Sequence, residues 1–135
     1  MSLSILLVDD IEVNRKVASL MLKKLDHDVD LATNGVEAID ALKRKCYDIV
    51  FMDIEMPEMD GLEATKIIRQ QMYSGPKIIV LTASSNCRDI CLDAGADDFL
   101  TKPISIEILK NVIERSMPVS SFSLNDSEKI AATCE

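Results

Sequence analysis

The 135-residue chain has one histidine, His27, and no C-x-x-C pair among its four cysteines. Cys46 and Cys134 lie far from the others, and Cys87 and Cys91 are one helical turn apart. This spacing argues against structural zinc and for reduced thiols in a cytosolic compartment. No apolar run approaches the roughly 18–20 residues needed to span a bilayer. The N-terminus also lacks the basic-then-apolar layout of a signal peptide. Positive charge is in deficit, with 15 Lys and Arg against 23 Asp and Glu, a net charge of −8. Such a chain repels nucleic acid and anionic lipid at long range. Repeats with periods of 20–50 residues are absent as well.

What is present fits one folded domain: 47% hydrophobic and 28% charged residues. Three short apolar runs stand out, Ile5–Val8, Ile49–Met52 and Ile78–Leu81. They are continuous rather than alternating, as parallel strands covered on both faces are. Asp28–Ala32 and Asp98–Thr101 are weaker strand candidates. Helical stripes fall between them. Val13, Val17, Leu20, Met21 and Leu25 share one face. Val36, Ile39, Leu42 and Cys46 form a second stripe, Leu62, Thr65, Ile68 and Met72 a third, and Leu109, Val112 and Ile113 the last. A shorter helical pattern surrounds Arg88–Ala94.

Caps stand where these patterns begin and end. Asn34-x-x-Glu37 and Asp60-x-x-Glu63 read as capping boxes, Ser105 as an N-cap and Gly95 as a helix C-terminal glycine. Five strand-then-helix units with right-handed crossovers predict an α/β fold. Its form is a doubly wound five-stranded parallel sheet, flavodoxin-like (βα)5, with strand order 2-1-3-4-5. The domain is expected over residues 1–117, with a flexible tail or linker over 118–135.

In such a sheet, ligands bind beyond the carboxyl ends of the strands. The first strand runs into Asp9-Asp10, the third ends at Asp53, the fourth at Thr82, and Lys102 follows the fifth. Carboxylates about 4 Å apart repel by on the order of 4 kcal/mol at an effective dielectric of 20, so the cluster must take up protons or a cation. Oxygen-only donors favour a hard ion, magnesium above all. Metal and lysine together suit a phosphoryl group, whose charge spreads over three oxygens. A carboxylate between them can attack phosphorus and form an acyl phosphate. Taken singly, a strand-end Asp is often only a helix cap and a Lys before Pro only a solvated charge. Five such residues at one sheet end are not explained that way.

At these residues the chain resembles the receiver domains of two-component response regulators. Ile5-Leu6-Leu7-Val8-Asp9-Asp10 resembles the opening strand and acidic pair. Asp53-Ile54-Glu55-Met56-Pro57-Glu58-Met59-Asp60-Gly61 resembles the phosphoacceptor stretch, and Leu81-Thr82-Ala83 the switch strand. Ala94-Gly95-Ala96-Asp97-Asp98-Phe99-Leu100-Thr101-Lys102-Pro103 resembles the closing segment. The match runs in order from about Ser4 to Ser116. The stretches from Asp9 to Val17 and from Met52 to Pro57 are most similar to receivers of hybrid histidine kinases.

The resemblance implies Asp53 as phosphoacceptor, with magnesium held by Asp10, by Asp9 partly through water, by Asp53 and by the Glu55 carbonyl. It implies that Thr82 bonds a phosphoryl oxygen, that Lys102 pairs with it and that Phe99 turns inward in the modified state. Glu55 and Ser84 would flank the water that hydrolyses the acyl phosphate, and Lys102-Pro103 would be cis. The implied donor is a histidine kinase or histidine phosphotransfer protein, and the implied output an unidentified protein target. Nucleic acid and membrane contact are not expected. The segment from Thr82 to Gly95 is about two residues shorter than the family's usual length, which bears on where the fourth helix starts.

Two other functions use similar parts. A phosphohydrolase of the haloacid-dehalogenase type needs Asp-x-Asp after its first strand, and Asp9-Asp10-Ile11-Glu12 does not supply it. A pure interaction module would have no need of the intact chemical set. A domain that catalyses only its own phosphorylation and dephosphorylation fits better than a turnover enzyme. The 19 residues after Ser116 are too few and too acidic for a DNA-binding output. The chain therefore reads as a stand-alone receiver or one excised from a longer protein.

Overall fold

The computed structural model describes residues 2–54, 61–71, 75–83, 86 and 88–116. Along the chain run β1 (Ser4–Val8), α1 (Glu12–Lys24), β2 (Asp28–Ala32), α2 (Gly35–Arg44) and β3 (Ile49–Asp53). These are followed by α3 (Gly61–Gln71), β4 (Lys77–Thr82), α4 (Arg88–Asp93), β5 (Asp98–Thr101) and α5 (Ile106–Ser116). The strands pair in parallel in the order β2-β1-β3-β4-β5, the expected arrangement. The proposed tail at 118–135 lies outside the described residues.

The apolar runs are continuous because both faces of the central strands are covered. Ile5, Leu7, Ile49, Phe51, Ile79 and Leu81 point to one side, against Ala18 and Leu22 of α1 and Leu109, Val112 and Ile113 of α5. Their alternate neighbours Leu6, Val8, Val50, Met52 and Ile78 point to the other, against α2 and α3 through Ala38, Leu42, Ala64 and Ile68. Fully burying one such side chain is worth about 1.5–3 kcal/mol. The strand ends that carry the acidic residues are therefore anchored from both sides.

At the β2 edge the sheet is blunted by charge. Asp30 accepts from the Tyr47 hydroxyl at 2.7 Å and from Lys45 Nζ at 2.9 Å. Burial, aided by the Asp30 bond, pushes the Tyr47 phenol up to about 12. The lone histidine is structural: His27 Nδ1 accepts from the Leu3 backbone N–H at 3.1 Å, and burial lowers its pKa.

The caps show the local logic. Asn34 accepts from Glu37 N, and the Glu37 carboxylate returns to Thr33 N, one residue before the cap. Ser105 Oγ accepts from Ile108 N at 3.2 Å. Asp60 of the other expected box, and Met72, fall outside the described residues. Gly95 ends α4 at φ 109°, where Gly95 N and Ala96 N donate back to the carbonyls of Leu92 and Cys91. Arg69 of α3 clasps that turn, donating Nε to the Gly95 carbonyl and Nη2 to Asp97.

The stripe on α1 is not the face that meets the sheet: Val13, Val17 and Leu20 are exposed, and only Met21 and Leu25 of that set are partly buried. Ala18, Ser19 and Leu22 face the sheet instead. Two apolar arcs compete on this helix, and the arc with small residues lets the helix approach the strands closely. Val36 of α2 is likewise turned outward while Gly35 and Ala38 are buried.

Candidate functional site

Asp9 lies one residue past β1, and Asp53 is the last residue of β3. Both side chains are almost fully buried, at 3% and 1% exposure, whereas Asp10 is exposed. Carboxylate oxygens from all three lie within 4.8 Å of one another. Lys102, in the segment after β5, brings Nζ to 3.2 Å from Asp53 Oδ1 and 3.9 Å from Asp9 Oδ2. Thr82 ends β4 fully buried, and its carbonyl accepts from Lys102 N at 2.8 Å. Five chemical groups expected from the sequence thus meet at one end of one sheet. The Lys102-Pro103 bond is cis.

The three carboxylates are not equivalent. Asp9 spends Oδ1 on the Ile11 backbone N–H at 2.9 Å and turns Oδ2 toward Lys102. Asp10, beside it, is exposed. One lysine leaves a surplus of negative charge, since three carboxylates exceed one ammonium. The donor set is all oxygen, with neither His nor Cys in the cluster. Those residues fit a hard divalent cation. Glu55, expected to add a carbonyl, and Ser84 lie outside the described residues.

Gly61 starts α3 tight against the end of β3. A Cβ there would press on the Asp53 carbonyl oxygen and lie 2.8 Å from Ile54 Cα. Backbone cannot yield as a flexible side chain would. Gly61→Ala is therefore expected to cost about 1–3 kcal/mol of stability, as overpacking does. Urea unfolding measures this, and an unchanged midpoint would show that the helix start relaxes freely.

Phe99 is half-buried on β5, in register with Val80, and packs with the small group Val80, Cys91 and Ala96. Two features escaped the sequence reading. Arg15 Nη1 donates to the Asp9 carbonyl at 2.7 Å, a contact with no signature in spacing. The second is a groove of about 390 Å³ between α1 and the segment after β5, lined by Val17, Met21, Pro103 and Ile104 and reaching Asp9 and Lys102. The exposed stripe on α1 could have hinted at it, since that helix carries more apolar surface than one buried face needs.

A doubly wound sheet with an acidic trio and a facing lysine at its carboxyl end defines a receiver-type signalling domain. The family model of the response regulator receiver domain matches residues 5–114, and the chain belongs to that family. Hybrid signal transduction histidine kinase F of Dictyostelium discoideum is 40% identical over 124 residues, covering 87% of this chain. The chain spans only 11% of that kinase's length. Among solved structures, the receiver domain of a sensor histidine kinase from Pseudomonas aeruginosa PAO1 superposes with TM-score 0.78 at 37% identity. The match covers 85% of this chain and 97% of that one, which carries magnesium coordinated in its active site cleft. The receiver of the Saccharomyces cerevisiae response regulator Ssk1, co-crystallised with the histidine phosphotransfer protein Ypd1, gives TM-score 0.80 at 29% identity. That match covers 84% of this chain and 87% of that one.

Proposed function

We propose that Asp53 accepts a phosphoryl group from a phosphohistidine on a histidine kinase or histidine phosphotransfer protein. The observation that carries this reading is the buried Asp53 carboxylate with Lys102 Nζ at 3.2 Å inside an acidic trio. An Asp53 carboxylate oxygen attacks phosphorus, a P–O bond forms, and the P–N bond to the imidazole breaks. The electron pair leaves with the imidazole nitrogen, which takes a proton from solvent. Lys102 pairs with the phosphoryl oxygens as their charge arrives. Asp9, Asp10 and Asp53, with the Glu55 carbonyl, would hold magnesium. When bound, the ion supplies positive charge against the carboxylates and the phosphoryl oxygens.

The domain is a switch rather than a turnover enzyme, catalysing only its own phosphorylation and dephosphorylation. The added phosphoryl charge draws the Thr82 hydroxyl inward, and Phe99 turns into the space vacated beside β5. A downstream protein then reads the altered surface. Glu55 and Ser84 tune the lifetime of the acyl phosphate. Residues 1–117 form the receiver and 118–135 a tail or linker. The domain works in the cytoplasm, consistent with Cys46 and Cys91 being reduced thiols rather than a disulfide. Among the described residues, no helix is long and apolar enough to cross a membrane.

The outward stripe of α1 supports a protein donor. Val13, Val17 and Leu20 are 46–66% exposed, and the groove beside them runs to Lys102 and Asp9. A donor that delivers phosphohistidine to Asp53 must cover this rim, and apolar surface contiguous with the pocket is what such a partner would bury.

Incubation with a small-molecule phosphodonor and magnesium tests the reading. The expected result is a gain of one phosphoryl mass on the intact protein. Catalytic phosphate release would instead indicate a phosphohydrolase, and no change a binding module.

A further inference from the structure

We infer that Arg15 is a positioning residue for the acidic trio, holding in place the peptide that joins Asp9 to Asp10. The inference rests on the proposal that the trio takes a divalent cation. β1 ends at Val8, and Asp9 extends its ladder by one bond, from Asp9 N to the Ala32 carbonyl at 3.1 Å. Beyond that point the turn leaves the sheet. The Asp9 carbonyl oxygen is taken by Arg15 Nη1 at 2.7 Å, reaching back from the first turn of α1. A peptide unit is planar, so fixing the Asp9 oxygen also fixes the direction of the bond into Asp10. Asp10 is the exposed member of the trio, the one that the protein interior does not hold.

The start of α1 has little else to secure it. Its N-cap, Ile11, makes no side-chain capping bond. Asp9 Oδ1 takes the Ile11 N–H, so the acidic residue and the arginine hold the turn that leads into the helix. The guanidinium thus ties the strand end to α1 across the turn that presents two of the three carboxylates.

A purely electrostatic role predicts the opposite sign from a positioning role. Removing a cation beside three carboxylates should tighten a divalent ion. Releasing the turn should weaken it, because groups that orient a metal's ligands typically cost about 10–100-fold in affinity when removed. Arg15→Met keeps the apolar stem and removes both charge and donor. Arg15→Lys keeps the charge and one donor but loses the planar fork.

The experiment is a magnesium titration of wild type and both variants, followed by backbone amide shifts in NMR spectra. Arg15→Met is expected to weaken magnesium about tenfold, with Arg15→Lys in between. If Arg15→Met does not fold, Arg15→Lys decides, because its charge is unchanged and any loss then reports geometry. Wild-type binding with variants that bind equally or more tightly would overturn the role of Arg15 alone. Wild-type spectra indifferent to magnesium would overturn the cation site, and the Arg15 role with it.

Discussion

Asp53→Asn is expected to reduce phosphoryl uptake by at least roughly 10³-fold, as loss of a nucleophile does, while the domain stays folded. Asparagine keeps the shape of the side chain, which is buried at the end of β3. It removes the charge that the proposed attack on phosphorus requires. The stability effect has two opposing parts. The Lys102 ion pair at 3.2 Å is weakened, but one of three mutually repelling carboxylates becomes neutral. Lys102 retains Asp9 as a second partner at 3.9 Å. The melting temperature should therefore move by only a few degrees, roughly the shift that 1 kcal/mol gives a domain of this size. Intact-mass spectra after incubation with phosphodonor decide the matter. Full uptake in the folded variant would place the acceptor on another residue.

The second large effect is expected from the outer face of α1. Val13→Glu combined with Leu20→Glu puts two charges on the stripe and leaves the groove lining untouched. Both positions are mostly exposed, at 66% and 62%, so stability should change by only about 0.5 kcal/mol or less. Glutamate also has a better helix propensity than valine. Uptake from a small-molecule donor should be unaffected, because that donor needs only the pocket. Transfer from a phosphorylated histidine phosphotransfer protein that serves the wild type should slow about tenfold or more, the scale of a docking residue worth about 1.4 kcal/mol. Rapid-quench transfer kinetics with the two donor types separate surface from pocket. Wild-type transfer from the protein donor would mean that the partner approaches over a different face.

Much of the architecture was legible in the residues because it rests on local rules. Ile5–Val8, Ile49–Met52 and Ile78–Leu81 are apolar at every position, which only strands covered on both faces require. Their ends carry Asp9, Asp53 and Thr82. Once the strands are parallel, those ends share one edge of the sheet. The cap at Asn34 and the turn at Gly95 follow from side-chain and backbone chemistry within a few residues, and both are present in the structure.

What the residues alone could not settle depended on contacts between distant parts of the chain. On α1 two arcs are apolar, and periodicity cannot say which one meets the sheet. Close packing selects Ala18, Ser19 and Leu22, leaving the bulkier Val13, Val17 and Leu20 outside. The unequal roles of Asp9 and Asp10 likewise arise from a turn, in which Ile11 N and the Lys102 ammonium engage one carboxylate and leave the other exposed. The sequence by itself determined the five βα units, their order and the acidic edge, since each follows from residue chemistry and chain connectivity. Only the tertiary structure decided which helix face stayed outside and how each charge in the pocket is held, since those depend on shape and distance between segments that the sequence does not make neighbours.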